Sequence, residues 1–267
     1  MTDISVAPIP SLAAKMVDLR DSVAVLNGAK SGLGVGEPQM ETVERMKAAG
    51  RLIGYFEALG YSVREVTDLG RVRSMIEDAD KPYLSSFGNP GFNDFSEGNC
   101  LWLIIADGEV PAYMGCARLE EVGDEPIERY WSRVFVRHHG EGGSFQSVGG
   151  NIERFLTGRL AYFGDLFVEK QHRGSRVGLQ AFLALAHLSV SLKWNPDWTY
   201  CFIREQHILR GSAALYGFTR QVPNPIKWVS KPPLPRTESD WLVALPRQDL
   251  LSSVQRVVGT VCSSIGK

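Results

Sequence analysis

The chain has 267 residues, of which 44% are hydrophobic and 22% are charged, and its formal net charge is −1. This length and composition are typical of a globular protein with one large domain or two small ones. A net charge near zero excludes a long nucleic-acid track or a surface built for anionic membranes, but a local basic cluster can still bind a small anion.

The N-terminal segment MTDISVAPIP lacks a basic patch followed by an apolar run, so we expect no signal peptide and a cytoplasmic location. Residues 1–37 are predicted to form an arm, with a short strand at Val23–Leu26 before the glycine-rich NGAKSGLGVG. Apolar residues at helical spacing then predict a helix over 38–60 and a shorter one at Leu69–Ala79. The turn-rich segment Phe87–Gly98 is predicted to be a loop.

The clearest hairpin follows this loop. Cys100–Ile105 and Ala112–Leu119 have strand-like sequences, and Asp107–Gly108 supplies the turn between them. A third strand is expected at about Arg133–Arg137. Residues 138–158 are polar and glycine-rich, which predicts an inserted excursion with a short helix that serves a binding face.

The C-terminal half alternates strand and helix patterns: a strand at Leu160–Glu169, a helix at Val177–Lys193, a strand at Trp198–Arg204, a shorter helix at Ile208–Tyr216, and strands at Ile226–Val229 and Trp241–Leu245. The apolar run Leu179–Leu192 is interrupted by polar residues and is too short and polar to span a bilayer. Together these elements predict one α/β domain over residues 38–247, followed by a helical tail at 248–267.

The segment VEKQHRGSRVGLQAFLALA, residues 168–186, places RGSRVG between an apolar strand and an apolar helix. The first N–H groups of a helix are unpaired and their dipoles add, so such a junction attracts an anion. Gly174 and Gly178 let the backbone approach phosphate oxygens, while Arg173 and Arg176 add positive charge. The short pattern alone also fits a plain strand–helix turn with solvent-exposed arginines.

The surrounding segment LFVEKQHRGSRVGLQAFLAL resembles the signature region of the GNAT acyltransferase superfamily, in which RGxGxG follows an apolar strand and opens a long helix. The residues at matching offsets are Val168, Arg173, Gly174 and Gly178. The upstream DGE hairpin and the downstream ALYGF also resemble that family, and the likeness runs from about residue 41 to 246. It implies a GNAT-like fold: a central mixed, mostly antiparallel twisted sheet flanked by helices, with an N-terminal extension and an inserted loop.

The resemblance implies an N-acyltransferase that uses acetyl-CoA or another acyl-CoA on the amine of a small molecule or peptide. The pantetheine arm would pair with the strand, the pyrophosphate would take N–H groups from the loop, and the N–H of Val168 would stabilise the oxyanion. The expected donor-binding residues are Leu166, Phe167, Val168, Arg173, Gly174, Ser175, Arg176, Val177 and Gly178. No metal, nucleic acid or membrane is expected to take part, and a homodimer stays open.

The resemblance also implies catalytic residues. Tyr216 is the expected acid that protonates the departing thiolate, with an aromatic packed under the sheet as the alternative. Asp165 and Glu169 lie four apart on one predicted strand, so both should project from one face. One of them is expected to be the amine-facing carboxylate, and a solvated strand edge is the alternative.

Two departures from the family pattern keep other functions open. Arg176 replaces the middle glycine of the loop, and Tyr216 directly precedes Gly217–Phe218, where the family usually has about three intervening residues. A GNAT-like protein that binds an acyl donor or metabolite without efficient transfer fits these departures. A transferase that takes its acyl group from a carrier protein would also use Arg173 and Arg176.

Other chemistry-bearing patterns are weaker. The four cysteines form no CxxC pair, which argues against a zinc site and a disulfide framework. His138 and His139 lie near Glu141 but have no third ligand at convincing spacing. The segment SGLGVG (31–36) misses the final glycine of a dinucleotide fingerprint.

Overall fold

The computed structural model describes residues 37–78, 81 and 84–265. The predicted strand at Val23–Leu26 and the glycine-rich segment of the arm lie outside the described residues.

The helices are α1 (Glu37–Ala58), α2 (Leu69–Asp78), α3 (Ile127–His139), α4 (Arg176–Trp194), α5 (Glu205–Ile208), α6 (Ser212–Leu215) and α7 (Leu250–Ile265). The strands are β1 (Ser62–Val66), β2 (Cys100–Asp107), β3 (Val110–Gly123), β4 (Phe145–Val148), β5 (Gly158–Val168), β6 (Trp198–Arg204), β7 (Arg220–Pro223), β8 (Ile226–Trp228) and β9 (Asp240–Pro246).

A seven-stranded sheet organises the described chain, in the order β1-β2-β3-β5-β6-β9-β7. Neighbouring strands are antiparallel except β5 and β6, which run parallel. Strands β4 and β8 form a separate antiparallel pair. The prediction of a mixed, mostly antiparallel sheet flanked by helices is therefore confirmed.

The sheet is buried on both faces, which explains why the β2 sequence CLWLII is apolar without alternation. Leu101 and Leu103 belong to the larger core, which α1, α4 and α7 cover. Trp102 and Ile104 face the smaller core on the opposite side, where Met75 of α2 packs.

Helix α4 supplies the centre of the larger core. Among the described residues it is the one helix whose length and composition would suit a membrane span, yet most of it is buried within the protein. Phe182 stacks on Tyr113 of β3, with ring centroids 5.8 Å apart. Its apolar sequence is therefore accounted for by packing between the sheet, α1 and α7.

The strand predicted at Arg133–Arg137 is wrong, because these residues lie within α3. Ile127, Trp131, Val134 and Phe135 recur at helical spacing and are buried on one side of that helix. A five-residue apolar window cannot distinguish a buried helical turn from a strand.

The helix predicted at Ile208–Tyr216 is interrupted. Gly211 has a φ of 82° and separates α5 from α6. The short strands β1, β4 and β7 were not predicted, and β4 lies inside the 138–158 excursion together with two short 3-10 turns. Strands of four or five residues bury too little apolar surface to leave a clear sequence pattern.

Candidate active site

Strands β5 and β6 separate soon after they begin to pair. Their register joins Leu160–Tyr162 to Trp198–Tyr200, after which β5 continues to Val168 and β6 to Arg204. Beyond Tyr162, the β5 edge that faces β6 therefore has no strand partner. Such an edge can hydrogen-bond an extended ligand as an added strand would.

A cleft of about 290 Å³ opens at this gap. Its apolar wall comes from both strands, from α4 and from the segment after α6: Phe163, Leu166, Leu183, Ile203, Tyr216 and Phe218. Its charged residues are Lys81, Asp165, Arg204, Arg236 and Asp240. The cleft thus combines an apolar channel with a polar end.

A bulge at Asp165 bends β5 beside the cleft. The β3–β5 register shifts between the pairs Met114–Phe167 and Cys116–Gly164, and Asp165 has a φ of 54°. A left-handed conformation is uncommon for any residue other than glycine, and Asp tolerates it better than most. The bulge changes the alternation of side chains along the strand.

The Asp165 carboxylate is committed to contacts within the protein. Its Oδ1 accepts hydrogen bonds from Lys81 Nζ (3.1 Å) and the Ser85 backbone N–H (2.7 Å), and its Oδ2 accepts one from Ser85 Oγ (2.7 Å). The Asp165 side chain is 1% exposed. A Cβ at Gly88 would overlap this carboxylate, so only glycine fits there. Asp165 therefore fastens Lys81 and Ser85 to the bulge, a role that differs from the predicted amine-facing carboxylate.

Glu169 lies one residue beyond β5, in the loop. Its Oε2 accepts a hydrogen bond from the Gln171 backbone N–H (2.6 Å), which holds the pKa of Glu169 below its usual range. The expectation that Asp165 and Glu169 share one strand face is wrong, since the bulge and the end of β5 intervene between them.

The open side of the β5–α4 loop is formed by four exposed residues: Arg173, Gly174, Ser175 and Arg176. Gly174 has a φ of 102°, a conformation that favours glycine. Arg173 Nε donates to the carbonyl oxygen of Val168 (2.9 Å), whereas Arg176 forms no ion pair within the described part of the chain. Exposed backbone, a helix N-terminus and a free guanidinium lie together at this point.

The last two predicted loop residues face inward. Gly178 is buried, and a Cβ there would overlap the hydroxyl of Tyr113 and Ser175 Oγ. Its N–H donates to Ser175 Oγ (3.2 Å), the N-cap of α4. Val177 packs against the larger core. Gly178 is therefore needed for packing of α4 on β3, and its N–H is already partnered.

The backbone of Val168 faces the open edge of β5. Glu169 N–H donates to Ala112 O (3.0 Å) on the β3 side. Because successive strand residues direct their N–H groups to opposite sides, the Val168 N–H points towards the gap. Leu166 lines the cleft with its side chain, whereas the Phe167 side chain is buried in the smaller core.

Tyr216 stands on the cleft wall at the C-terminal end of α6. Its carbonyl oxygen accepts a hydrogen bond from His187 Nε2 (2.9 Å), which anchors its backbone to α4. Burial raises the pKa of the Tyr216 phenol, so the group stays protonated at neutral pH. The same residue borders a second cavity of about 310 Å³ between α4 and α7. A protonated phenol bordering the cleft is a suitable proton donor.

Sequence analysis missed Arg236, which lies in the proline-rich segment before β9. Its guanidinium lies 5.4 Å from the ring centroid of Phe87 and 4.3 Å from that of Phe202. Its Nη2 donates to the hydroxyl of Tyr162 (3.2 Å). No sequence motif marks Arg236, because each of these partners lies far away along the chain.

The adjacent histidines face different partners. His138 Nε2 lies 3.2 Å from Asn93 Oδ1, and His139 Nε2 lies 3.1 Å from Ser86 Oγ. Burial and the charges of Arg118 and Arg137 lower the pKa of His138 to about 3. Within the described ranges, no group of three His, Cys, Asp or Glu side chains is arranged to hold a metal ion.

The described chain has the main features implied by the resemblance noted in its sequence. These are the mixed sheet, a splayed strand before the loop, and a loop that opens a long helix. These features agree with the architecture that the resemblance implies.

Comparisons with known proteins return structures and no sequence relatives. No protein-family model matches the chain, and no curated protein matches it in sequence.

Arabidopsis thaliana NAA60 in complex with acetyl-CoA is 15% identical, with 70% of this chain and 98% of that chain covered and a TM-score of 0.41. Drosophila melanogaster polyamine N-acetyltransferase is 14% identical, with 70% and 99% covered and a TM-score of 0.42. FeeM, an N-acyl amino acid synthase from uncultured soil microbes, is 12% identical, with 72% and 95% covered and a TM-score of 0.41. Similarity at this level does not transfer a substrate or an activity to this chain.

Proposed function

We propose that this protein is an N-acyltransferase that moves an acyl group from an acyl-CoA to an amine, with acetyl-CoA as the simplest donor. The observation that carries the proposal is the unpartnered β5 edge. It leads from the cationic loop at the start of α4 into a cleft bordered by Tyr216. An extended donor with a phosphate group at one end and a thioester at the other matches these three parts.

The donor would lie along β5 with its pyrophosphate at the loop. The exposed N–H groups near Gly174 and the guanidinium of Arg176 would bind phosphate oxygens. The pantetheine amides would pair with the free β5 edge beyond Tyr162. This arrangement directs the thioester into the cleft.

The reaction would proceed by direct attack of a neutral amine on the thioester carbon. The Val168 N–H would stabilise the negative charge that develops on the carbonyl oxygen. Collapse of the intermediate breaks the carbon–sulfur bond, and Tyr216 gives its proton to the departing thiolate. The proton lost by the amine would pass to water in the cleft, since both oxygens of Asp165 already accept hydrogen bonds.

A carrier-protein donor is a second candidate, supported by the exposure of Arg173 and Arg176 at the loop. A phosphopantetheine group attached to a carrier protein offers the same thioester and one phosphate. Free CoA and an acylated carrier protein should therefore be compared as donors in the same assay.

The test compares Arg176→Glu with Arg220→Glu as a matched control, since Arg220 is also exposed but lies on β7, outside the loop. We expect acetyl-CoA or a longer acyl-CoA to raise the melting temperature of the parent protein. Arg176→Glu should weaken this binding by at least tenfold because it replaces an attractive charge with a repulsive one, while Arg220→Glu should leave it unchanged. The parent protein should also release thiol with at least one amine of a panel. Absence of binding and thiol release with every CoA and carrier-protein donor would refute the proposal.

A further inference from the structure

Two buried arginines lie against Phe87, but their partners differ. The guanidinium of Arg118 lies 4.7 Å from the ring centroid and is paired with Glu120 and Asn93. Within the described residues the Arg236 guanidinium donates one hydrogen bond, to Tyr162, and its nearest carboxylate oxygen, on Asp240, is 3.9 Å away. That distance is too long for a hydrogen bond.

Most donors of Arg236 are therefore unused within the described part of the chain. A guanidinium has five N–H donors, and the Arg236 side chain is only 8% exposed. None of its nitrogen atoms is both sealed from solvent and without a partner. Arg236 lines the cleft and also a cavity of about 10 Å³ near Trp228, and of these two spaces the cleft has room for a ligand.

The aromatic rings hold this guanidinium in place. Phe87 and Phe202 both lie within cation–π distance of it, and its backbone N–H donates to Pro233 O (2.8 Å). Asp240, the nearby carboxylate, accepts a separate hydrogen bond from Thr237 Oγ1 (2.6 Å). Arg236 is thus preorganised, with its fork available to a ligand.

The other charges of the cleft leave a net positive end. Lys81 and Asp165 form an ion pair, with Nζ and Oδ1 3.1 Å apart. Arg204 stands at the mouth and donates weakly to the carbonyl oxygen of Pro235 (3.4 Å). Among the described residues that line the cleft, the remaining charged side chains are those of Arg204, Arg236 and Asp240. Two positive charges and one negative charge favour the binding of an anionic group at this end of the cleft.

We propose that Arg236 binds a carboxylate of the acceptor, and that the acceptors are amino acids or other amines that carry a carboxylate. This inference rests on the proposed function, because it places the acceptor amine at the thioester in the same cleft. A planar carboxylate matches the guanidinium fork with two parallel hydrogen bonds. Tyr162 links the two halves of the site, since its hydroxyl holds Arg236 and it is the last β5 residue paired with β6.

The first experiment compares matched acceptors on the parent protein. Each of several amino acids is assayed beside its amide and its decarboxylated amine, with thiol release from acyl-CoA as the readout. We expect kcat/KM to be at least tenfold higher for the amino acid, as befits a charge-assisted pair in a largely buried site. Equal values across each set, or a preference for aminoalkyl phosphates over amino acids, would overturn the proposal.

The second experiment uses Arg236→Met, with Arg220→Met as the control. Methionine keeps an apolar side chain next to the rings of Phe87 and Phe202. Because Asp240 would lose its nearby cation in this variant, the double variant Arg236→Met/Asp240→Asn also removes that carboxylate. We expect the KM of the amino acid to rise at least tenfold, with little change for its amide and with kcat retained. Arg236→Lys keeps the charge without the fork, should recover part of the loss, and serves if the methionine variants do not fold. Equal losses for amino acid and amide would refute a carboxylate role.

A binding measurement separates this inference from the proposed function. The ligands are N-acetyl amino acids and their amides, titrated into protein that contains CoA. Binding of the acids that weakens tenfold in Arg236→Met, without thiol release from any donor, would support the carboxylate site and count against acyl transfer. Thiol release with equal use of neutral and carboxylate-bearing amines would support transfer and overturn the carboxylate site. Neither binding nor release would overturn both.

Discussion

The backbone of Tyr216 is held in position by a hydrogen bond with a residue of α4. His187 Nε2 on α4 hydrogen-bonds its carbonyl oxygen, and Tyr216 borders both the cleft and the second cavity. Tyr216 therefore lies at the cleft despite its direct adjacency to Gly217. The positive φ of Gly217 (84°) turns the chain immediately after the tyrosine.

We expect Tyr216→Phe to lower turnover by roughly 10²–10⁴-fold, the range for loss of a positioned acid. Affinity for acyl-CoA should barely change, because the ring remains and only the hydroxyl is removed. The measurement is steady-state thiol release, with a melting curve on the same preparation. Full turnover per folded molecule with a lowered melting temperature would assign the ring to packing and remove it from the mechanism.

At the scale of the element, β5 is defined by its bulge and its free edge. The left-handed conformation of Asp165 accompanies the shift in the β3–β5 register. The Asp165 side chain binds Lys81 and Ser85 beside this bend. The strand pairs with β3 along almost its whole length but with β6 only at its start. The extent of the free β5 edge, where the acyl donor is proposed to bind, therefore depends on where β5 and β6 separate.

The two carboxylates predicted for catalysis should respond differently to amide substitution. Asp165→Asn should lower the free energy of unfolding by about 3 kcal/mol, since it removes one partner of a buried ion pair. Asparagine also tolerates the left-handed conformation, so the backbone itself should remain unstrained. Glu169→Gln is the control, and it should change the free energy of unfolding far less than Asp165→Asn does, because its carboxylate caps an exposed turn.

Both variants are measured by denaturant unfolding together with thiol release. A stable Asp165→Asn protein with greatly reduced turnover would return Asp165 to the amine-facing role. A loss of turnover confined to Glu169→Gln would assign that role to Glu169.

At the scale of the whole molecule, the unequal pairing of the strands predicts where a bound acyl donor will change the hydrogen exchange of backbone amides. Residues 102–106 of β2 are paired with both β1 and β3, whereas the end of β5 is paired on one side. We expect acyl-CoA to slow amide hydrogen exchange in residues 163–178, because backbone groups at a free edge and loop acquire partners. Residues 100–107 are the internal control and should exchange unchanged. Equal exchange at 163–178 with and without saturating acyl-CoA would contradict the proposed donor path.

The elements that the sequence determines by itself carry local signals. Asp107–Gly108 marks the hairpin turn, and the β6 boundaries Trp198–Arg204 follow from a compact apolar run. Helix α4 was predicted over Val177–Lys193 and spans Arg176–Trp194. The two ranges agree because the signals that predict the helix, its apolar composition and the loop with Gly174 at its start, lie in the same short segment. The resemblance carried by that segment predicted the sheet class, and the role of Tyr216 stays a prediction.

The tertiary structure alone decides which side chains meet at the cleft. Asp165 binds Ser85 across 80 residues of sequence, and Arg236 binds Tyr162 across 74. Gly178 in the first turn of α4 illustrates the same limit, since a group close to it is the hydroxyl of Tyr113 on β3. Local sequence specifies backbone propensity and hydrophobic period, whereas these contacts depend on strand order, the bulge and loop closure. The bulge at Asp165 and the end of β5 before Glu169 are outcomes of this kind, and Arg236 became recognisable only in the fold.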